Sequence, residues 1–322
     1  MIGVLLALTS AAAYGVSDFF GGLASRRVAA LRVILVSYPL SAVIVTVLAI
    51  FVGGEFSWHA MLFGAASGLA LALAMWWFYI ALAEGPMSVV SPMTAVLVAG
   101  IPVVVGVALG ERPSTISFVG VGLAIIAVLL VSREPADASP GTPAGLAGLA
   151  PTLPGALNAS TLKPGPLNLG ALNPGLGALG SAPRFTRRVA WFTIGSGVFF
   201  AFAFIFVHQI EAGTGLWPLV ASRGVASVIV IAAAVATRQH GLLPRGIVGI
   251  AVIIALLDVA ANVTMLYAFQ GGLLSLVSVL IALYPAFTVL LAVLVLKERV
   301  GRLQVAGMGL ALAAITAIAI SG

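Results

Sequence analysis

The sequence predicts an all-α polytopic membrane protein: ten transmembrane helices arranged as two inverted five-helix repeats. Three observations carry this. Hydrophobic residues make up 61% of the 322 and charged residues only 7%, against about 25% charged in a soluble domain. With a mean hydropathy of +1.21, there is too little polar side chain to cover a soluble surface. The chain also divides into ten apolar runs of about the 20 residues needed to cross roughly 30 Å of hydrocarbon as a helix. The first five runs match the last five at one constant spacing.

The runs occupy residues 2–24, 31–53, 59–83, 87–109 and 113–132, then 189–209, 215–237, 246–270, 273–296 and 300–321. All must be helical, because lipid offers a free backbone no hydrogen-bond partner. The opening MIGVLLALTSAAAYG has the small residues of a signal peptide. It lacks a basic stretch and stays apolar past Tyr14, so it reads as the first span. After the fifth span the composition changes. Residues 135–183 hold nine Pro and nine Gly, the make-up of a loose linker instead of a packed domain. The Asn158-Ala159-Ser160 glycosylation sequon there is a chance product of low complexity. The division is a first repeat over 1–132, a linker over 133–188 and a second repeat over 189–322.

Glu111-Arg112 follows the fourth span, and Glu298-Arg299 follows the ninth, 298 − 111 = 187 residues later. Without gaps the same offset pairs Gly85 with Gly272, Ser88 with Ser275, Ser91 with Ser278, Gly120 with Gly307 and Gly122 with Gly309. Polar and glycine matches in one register identify a duplication. Five spans per unit is odd, so the second unit enters the membrane from the opposite side. Such inverted repeats characterise secondary transporters, with a site between the halves near the bilayer midplane.

Charge orients the bundle. The face holding the loops after the first, third, fifth, seventh and ninth spans carries Arg26, Arg27, Arg133, Lys163, Arg184, Arg187, Arg188, Arg238, Arg245, Lys297, Arg299 and Arg302, and the other face Arg112 alone. The basic face is therefore expected to be cytoplasmic, with the linker inside, both termini outside, and the chain multi-pass in a cell membrane. The net charge of +6 is explained by topology, and no nucleic-acid partner is expected.

Several motifs, in order and in duplicate, carry a family resemblance: YGVSDFFGG in the first span, Arg32 early in the second, GPMSVVSP in the fourth and GERPS opening the fifth. Arg223 in the seventh, SLVSVLIALYP in the ninth and KERV opening the tenth complete them. The membrane part resembles the drug/metabolite transporter superfamily in its ten-helix EamA-type branch. That resemblance implies a central cavity lined mostly by the first four helices of each repeat, the fifth and tenth to the side, and a small metabolite as cargo. The sixth span, SGVFFAFAFIFVHQI, departs by having no counterpart of Asp18.

Polar residues inside an apolar span are functional candidates. Asp258 lies thirteen residues after Arg245, about 20 Å along the eighth helix. Asn262 is at i+4 on the same face, continued by Met265 and Phe269. Asp258 is read as a substrate- or proton-binding carboxylate or as half of an ion pair with Arg223. Arg223, eight residues after Gly215, is read as a gate, a holder of an anionic group, or that pair. Asp18 is eight residues before Arg26, about 12 Å from the basic face. It is read as a proton- or cation-binding group or as a structural partner of Arg32 or of another group near the inner surface. Arg32 itself is a gate or a snorkelling residue.

Trp76, Trp77, Tyr79 and Tyr267 sit near helix ends as an aromatic belt or, for Tyr79 and Tyr267, as cavity walls. Tyr14 belongs to the same wall. Pro92, Pro102 and Pro285 interrupt the fourth and ninth spans, and with Ser91 and Ser278 they mark lining or moving elements. The chain has no cysteine. The three histidines form no ligand cluster, so neither metal nor cofactor is expected. The expected function is a secondary transporter, read as an exporter, of a small metabolite or drug-like molecule by alternating access, with proton coupling. An uncoupled facilitator, a membrane enzyme or an assembly protein are the alternatives. The expected partners are the substrate and the bilayer, with a homodimer as an open oligomeric state.

Overall fold

The computed structural model describes residues 2–25, 28, 30–84, 87–131, 186–238, 243–296 and 301–321. The linker lies almost wholly outside these, as do the side chains of Tyr79, Ser91 and Pro92. The helices are α1 Ile2–Ser25, α2 Ala30–Val52, α3 Trp58–Glu84, α4 Met87–Ala108, α5 Thr115–Val131, α6 Arg187–His208, α7 Trp217–Ala236, α8 Arg245–Gly271, α9 Leu274–Ile281, α10 Tyr284–Leu296 and α11 Arg302–Ser321. No strand occurs among the described residues. Among the described residues eight spans are long and apolar enough to cross a membrane, and the apolar segments Met93–Ala108 and Thr115–Val131 bring the number to ten.

The ends follow local chemistry. Thr186 caps α6 by accepting from the Val189 N–H at 3.2 Å. Ser114 does the same for α5 through Ser117 N–H at 3.2 Å. A proline stands in the first turn of α7, where its missing N–H costs nothing. The ninth span departs from the single helix expected over 273–296. It breaks at Ala282 and Leu283 into α9 and α10. Pro285 has no N–H for the Ile281 carbonyl, so the α ladder cannot continue. The chain instead tightens through Leu283 N–H to Leu280 O at 3.3 Å.

The repeat is visible in the elements themselves. Ala30 and Trp217, Trp58 and Arg245, Met87 and Leu274, and Thr115 and Arg302 open paired helices, each pair separated by the same 187 residues (245 − 58, for example). The packing obeys the same exchange. α1 lies on α8 as α6 lies on α3, α2 touches α8 as α7 touches α3, and α2·α7, α4·α9 and α5·α11 meet their own counterparts. With five spans in each unit the two repeats are inverted.

Small residues set the closest crossings. A Cβ on Gly64 would stand 2.1 Å from the Pro218 carbonyl oxygen, and one on Gly68 2.1 Å from that of Ser222. Two glycines a turn apart thus let α3 and α7 approach backbone to backbone. On α1, a Cβ at Gly15 would meet the Tyr284 carbonyl oxygen at 2.6 Å. Thr288 Oγ1 donates to Gly15 O at 3.0 Å, fixing the start of α10 on α1. Large side chains such as Ile50, Phe51, Val104 and Leu294 stay exposed on the outside of the bundle, where lipid covers them.

Gly68→Val should lower the detergent melting temperature by the equivalent of about 1–3 kcal/mol of overpacking, or more. Gly122→Ala, whose Cβ would meet nothing within 4 Å, should leave it within experimental error. Equal melting of both variants would remove the close α3–α7 crossing.

Candidate functional site

Four helices bring a polar cluster together in the middle of the bundle. Asp258 lies thirteen residues into α8, about 20 Å from its start. Arg223 lies six residues into α7, about 9 Å from the opposite face. Both are buried, and Arg223 Nη2 lies 3.1 Å from Asp258 Oδ1. Two further groups complete the carboxylate. Ser41 of α2 donates to Oδ2 at 2.7 Å, and Asn262 Nδ2 donates to Oδ1 at 3.1 Å and to the Asp258 backbone oxygen at 2.7 Å. Asn262 therefore sits where the i+4 spacing puts it, turned back on Asp258.

The arginine is less well served. Its Cζ stands 5.4 Å from the centre of the Tyr38 ring, a cation–π distance. The Tyr38 hydroxyl lies close by. Nε, Nη1 and Nη2 all lack a hydrogen-bond acceptor, so the contact with Asp258 is one of charge. Ser227 Oγ donates to the Arg223 carbonyl at 2.6 Å. Tyr14 of α1 lies within electrostatic reach of Arg223, Asp258 and Tyr38. It points its hydroxyl at Met265 Sδ, 3.9 Å away.

Asp18 is one turn beyond Tyr14 on α1. Its side chain is solvent-accessible, and no ion pair or hydrogen bond involves it among the described residues. The structural pair expected with Arg32 does not form. Arg32 is half-buried at the start of α2, with Nε unmet. Ser278 is fully buried in α9 and bonds only its own helix, at Ser275 O, 3.2 Å. Pro285 lies in the first turn of α10. Tyr267 is 37% exposed on the outside of α8, away from the cluster. Trp76 faces outward, but Trp77 does not join a belt. It packs edge-on against Phe192 and Phe199 of α6, over Gly195. Tyr79, Ser91 and Pro92 lie outside the described side chains.

The arginine-poor face is closed by contacts that cross between the halves. The loops after α2 and α6 meet at backbone level: Glu55 N–H donates to Gly213 O at 2.9 Å. A Cβ on Gly215 would stand 1.9 Å from Gly53 O. Beside them Glu111, just past α4, caps the start of α9. Its two carboxylate oxygens accept from Leu274 N–H and from Ser275 N–H, the latter at 3.0 Å. The carboxylate folds back over Gly106, where a Cβ would meet Oε2 at 2.3 Å. An anion on an unsatisfied helix N-terminus is favoured by both hydrogen bonding and the helix dipole. His208 at the end of α6 lies within electrostatic reach of this carboxylate. A cleft of about 420 Å3 opens on the same face between Arg112, Leu273 and Ile318, away from Asp258.

Tyr38, Ser41 and the capping role of Glu111 were missed at the level of sequence. Tyr38 and Ser41 bracket Pro39 in mid-span, a polar interruption that pointed to them. Glu111 was legible only as a repeat marker.

Because the chain lacks cysteine, Ser278→Cys makes a clean accessibility probe. A membrane-impermeant maleimide should label it slowly, and roughly tenfold or more faster once Glu111→Ala removes two charge-assisted hydrogen bonds of about 1.5–3 kcal/mol each. An unchanged rate would exclude Glu111 as a closing contact. Separately, Asp258→Asn should destabilise the fold by about 3–5 kcal/mol by stranding the Arg223 charge. Adding Arg223→Met should restore part of that in a melting experiment.

A comparison with curated proteins finds no match. The model of the EamA-like transporter family matches residues 1–133 and 187–320, both five-helix units and most of the chain. The chain belongs to the EamA-like transporter family and is a multi-pass membrane transporter.

Proposed function

We propose that the chain is a secondary transporter that moves a small molecule by alternating access around the cluster of Arg223, Asp258, Asn262, Ser41, Tyr38 and Tyr14. The observation that carries this reading is the buried Arg223–Asp258 pair at 3.1 Å, embraced by Ser41 from the other repeat. Charges at mid-depth in a span are expensive unless they serve a pathway. This pair sits where the repeats meet. A merely structural protein needs neither, and among the described residues no catalytic grouping of nucleophile, base and orienter surrounds it.

With the arginine-rich face placed in the cytoplasm, both termini and the loops after α2, α4, α6 and α8 are external. The closed arginine-poor face then makes this an inward-facing arrangement, supported by the accessibility of Asp18 about 10 Å from the end of α1. For proton coupling, Asp18 is the better-supported carrier. It is unpaired and reachable, whereas Asp258 is held by three partners. Proton exchange at Asp258 would first have to break the Arg223 contact.

Reconstituted in liposomes, the full chain should catalyse saturable exchange of labelled metabolites drawn from a thermal-shift screen. Asp18→Asn should remove acceleration by a pH gradient while keeping counterflow. Acceleration that survives in Asp18→Asn and disappears in Asp258→Asn would move the coupling to Asp258. Absence of flux for every stabilising compound would overturn the transporter reading of this cluster.

A further inference from the structure

The cleft on the arginine-poor face belongs neither to the polar cluster nor to the closing contacts, and its walls specify what fills it. Its volume of about 420 Å3 is in the range of about 300–1,000 Å3 found for sites that take small molecules. Glycines open it. Gly3 of α1 faces Gly271 at the end of α8, and Gly272 follows, so part of the rim carries no side chain. A Cβ on Gly271 would meet no atom within 4 Å, so that position looks onto open space.

The lining divides into two chemistries. Arg112 and Ser114, on the turn before α5, form a polar rim. The rest of the wall is apolar: Val4 of α1, Leu276, Val277 and Leu280 of α9, and Ile318 of α11. Leu280 is seven residues on from Leu273, about 10 Å along the helix. The cleft therefore runs from the headgroup layer into the hydrocarbon. Arg112 is exposed and is the only lysine or arginine of that face. It has no ion pair or hydrogen bond among the described residues. Its neighbour Glu111 is held instead by the N–H groups of Leu274 and Ser275. Ser114 leads into α5, whose positive end adds to the same corner.

We infer that this cleft is a binding site for an anionic phospholipid of the leaflet on that side, with the phosphate on Arg112 and one acyl chain along Leu276, Leu280 and Ile318. A guanidinium matches phosphate in both charge and geometry. A soluble anion would use the rim alone and leave the apolar wall uncovered. An uncharged lipid would cover the wall and leave Arg112 unmatched. At this depth the bilayer itself supplies a molecule with both ends. The bound lipid would lie against the start of α9, beside the contact that Glu111 makes there. This site is separate from the transport reading and does not rest on it.

The test uses the purified full chain in detergent, made with a single cysteine, Leu273→Cys, at a cleft position 37% exposed. Its labelling by the uncharged reagent N-ethylmaleimide is followed while phosphatidylglycerol, phosphatidylcholine of the same acyl chains, or inorganic phosphate is added. Phosphatidylglycerol should protect saturably, at about fivefold lower concentration than phosphatidylcholine. Phosphate should not protect. Phe56→Cys, exposed on a loop of the same face, should be indifferent to all three. Arg112→Gln should erase the preference between the lipids and Arg112→Lys should keep most of it. Gly271→Phe, which fills the cleft, should end protection by either. Melting curves of each variant check that it is folded. Equal protection by the two lipids, a preference that survives Arg112→Gln, or protection that survives Gly271→Phe would overturn the inference. So would protection by phosphate alone, or by nothing. Flux in liposomes is measured separately, so failure here leaves the transporter reading to its own experiment.

Discussion

A guanidinium and a carboxylate inside a hydrocarbon slab each carry a large desolvation cost, and the structure meets it with one contact, Arg223 to Asp258. Coulomb attraction strengthens as the surrounding dielectric falls, but it holds only if the partners cannot drift apart. Ser41 and Asn262 supply that constraint by fixing both carboxylate oxygens, and the Tyr38 ring backs the arginine. Three helices are thereby tied at mid-depth, α7 and α8 of the second repeat and α2 of the first. Removing either charge strands the other in the most expensive place in the molecule.

The scaffold is duplicated, but the chemistry on it is not. At the constant offset, Asp258 corresponds to Leu71, Asn262 to Met75, Arg223 to Val36, Ser41 to Val228 and Asp18 to Ile205. Backbone symmetry needs only apolar faces and small residues at crossings, so both copies keep Gly120/Gly307 and Gly122/Gly309. One buried set of charges is already costly, and a second set would only add to that cost. The ninth span shows the same divergence in the backbone. Pro285 breaks it where the fourth span carries Val98, and the break presents Tyr284 to α1.

The two faces are treated differently. On the arginine-poor face the halves are joined by backbone contacts between loops and by Glu111 on the start of α9. These contacts are polar, made by backbone groups and one carboxylate, whereas the seams of α1 on α8 and α3 on α6 join long apolar helices.

Read alone, the sequence determined the class, the number of spans, the duplication and the charge asymmetry of the loops. Each of these depends on composition or on spacing along the chain, and lipid removes every backbone solution except the helix. It also put Asp258 and Asn262 on one stripe, since i and i+4 are neighbours whatever surrounds them. It could not show that Arg223 meets Asp258, that Asp18 stays free of Arg32, or that Tyr38 and Ser41 gather round the buried pair. The contacts among these join residues 35 to 217 apart in sequence, set by which face each helix turns inward. That rotation depends on glycine crossings at Gly15, Gly64 and Gly68. Because it arises from packing, only the tertiary structure decided it.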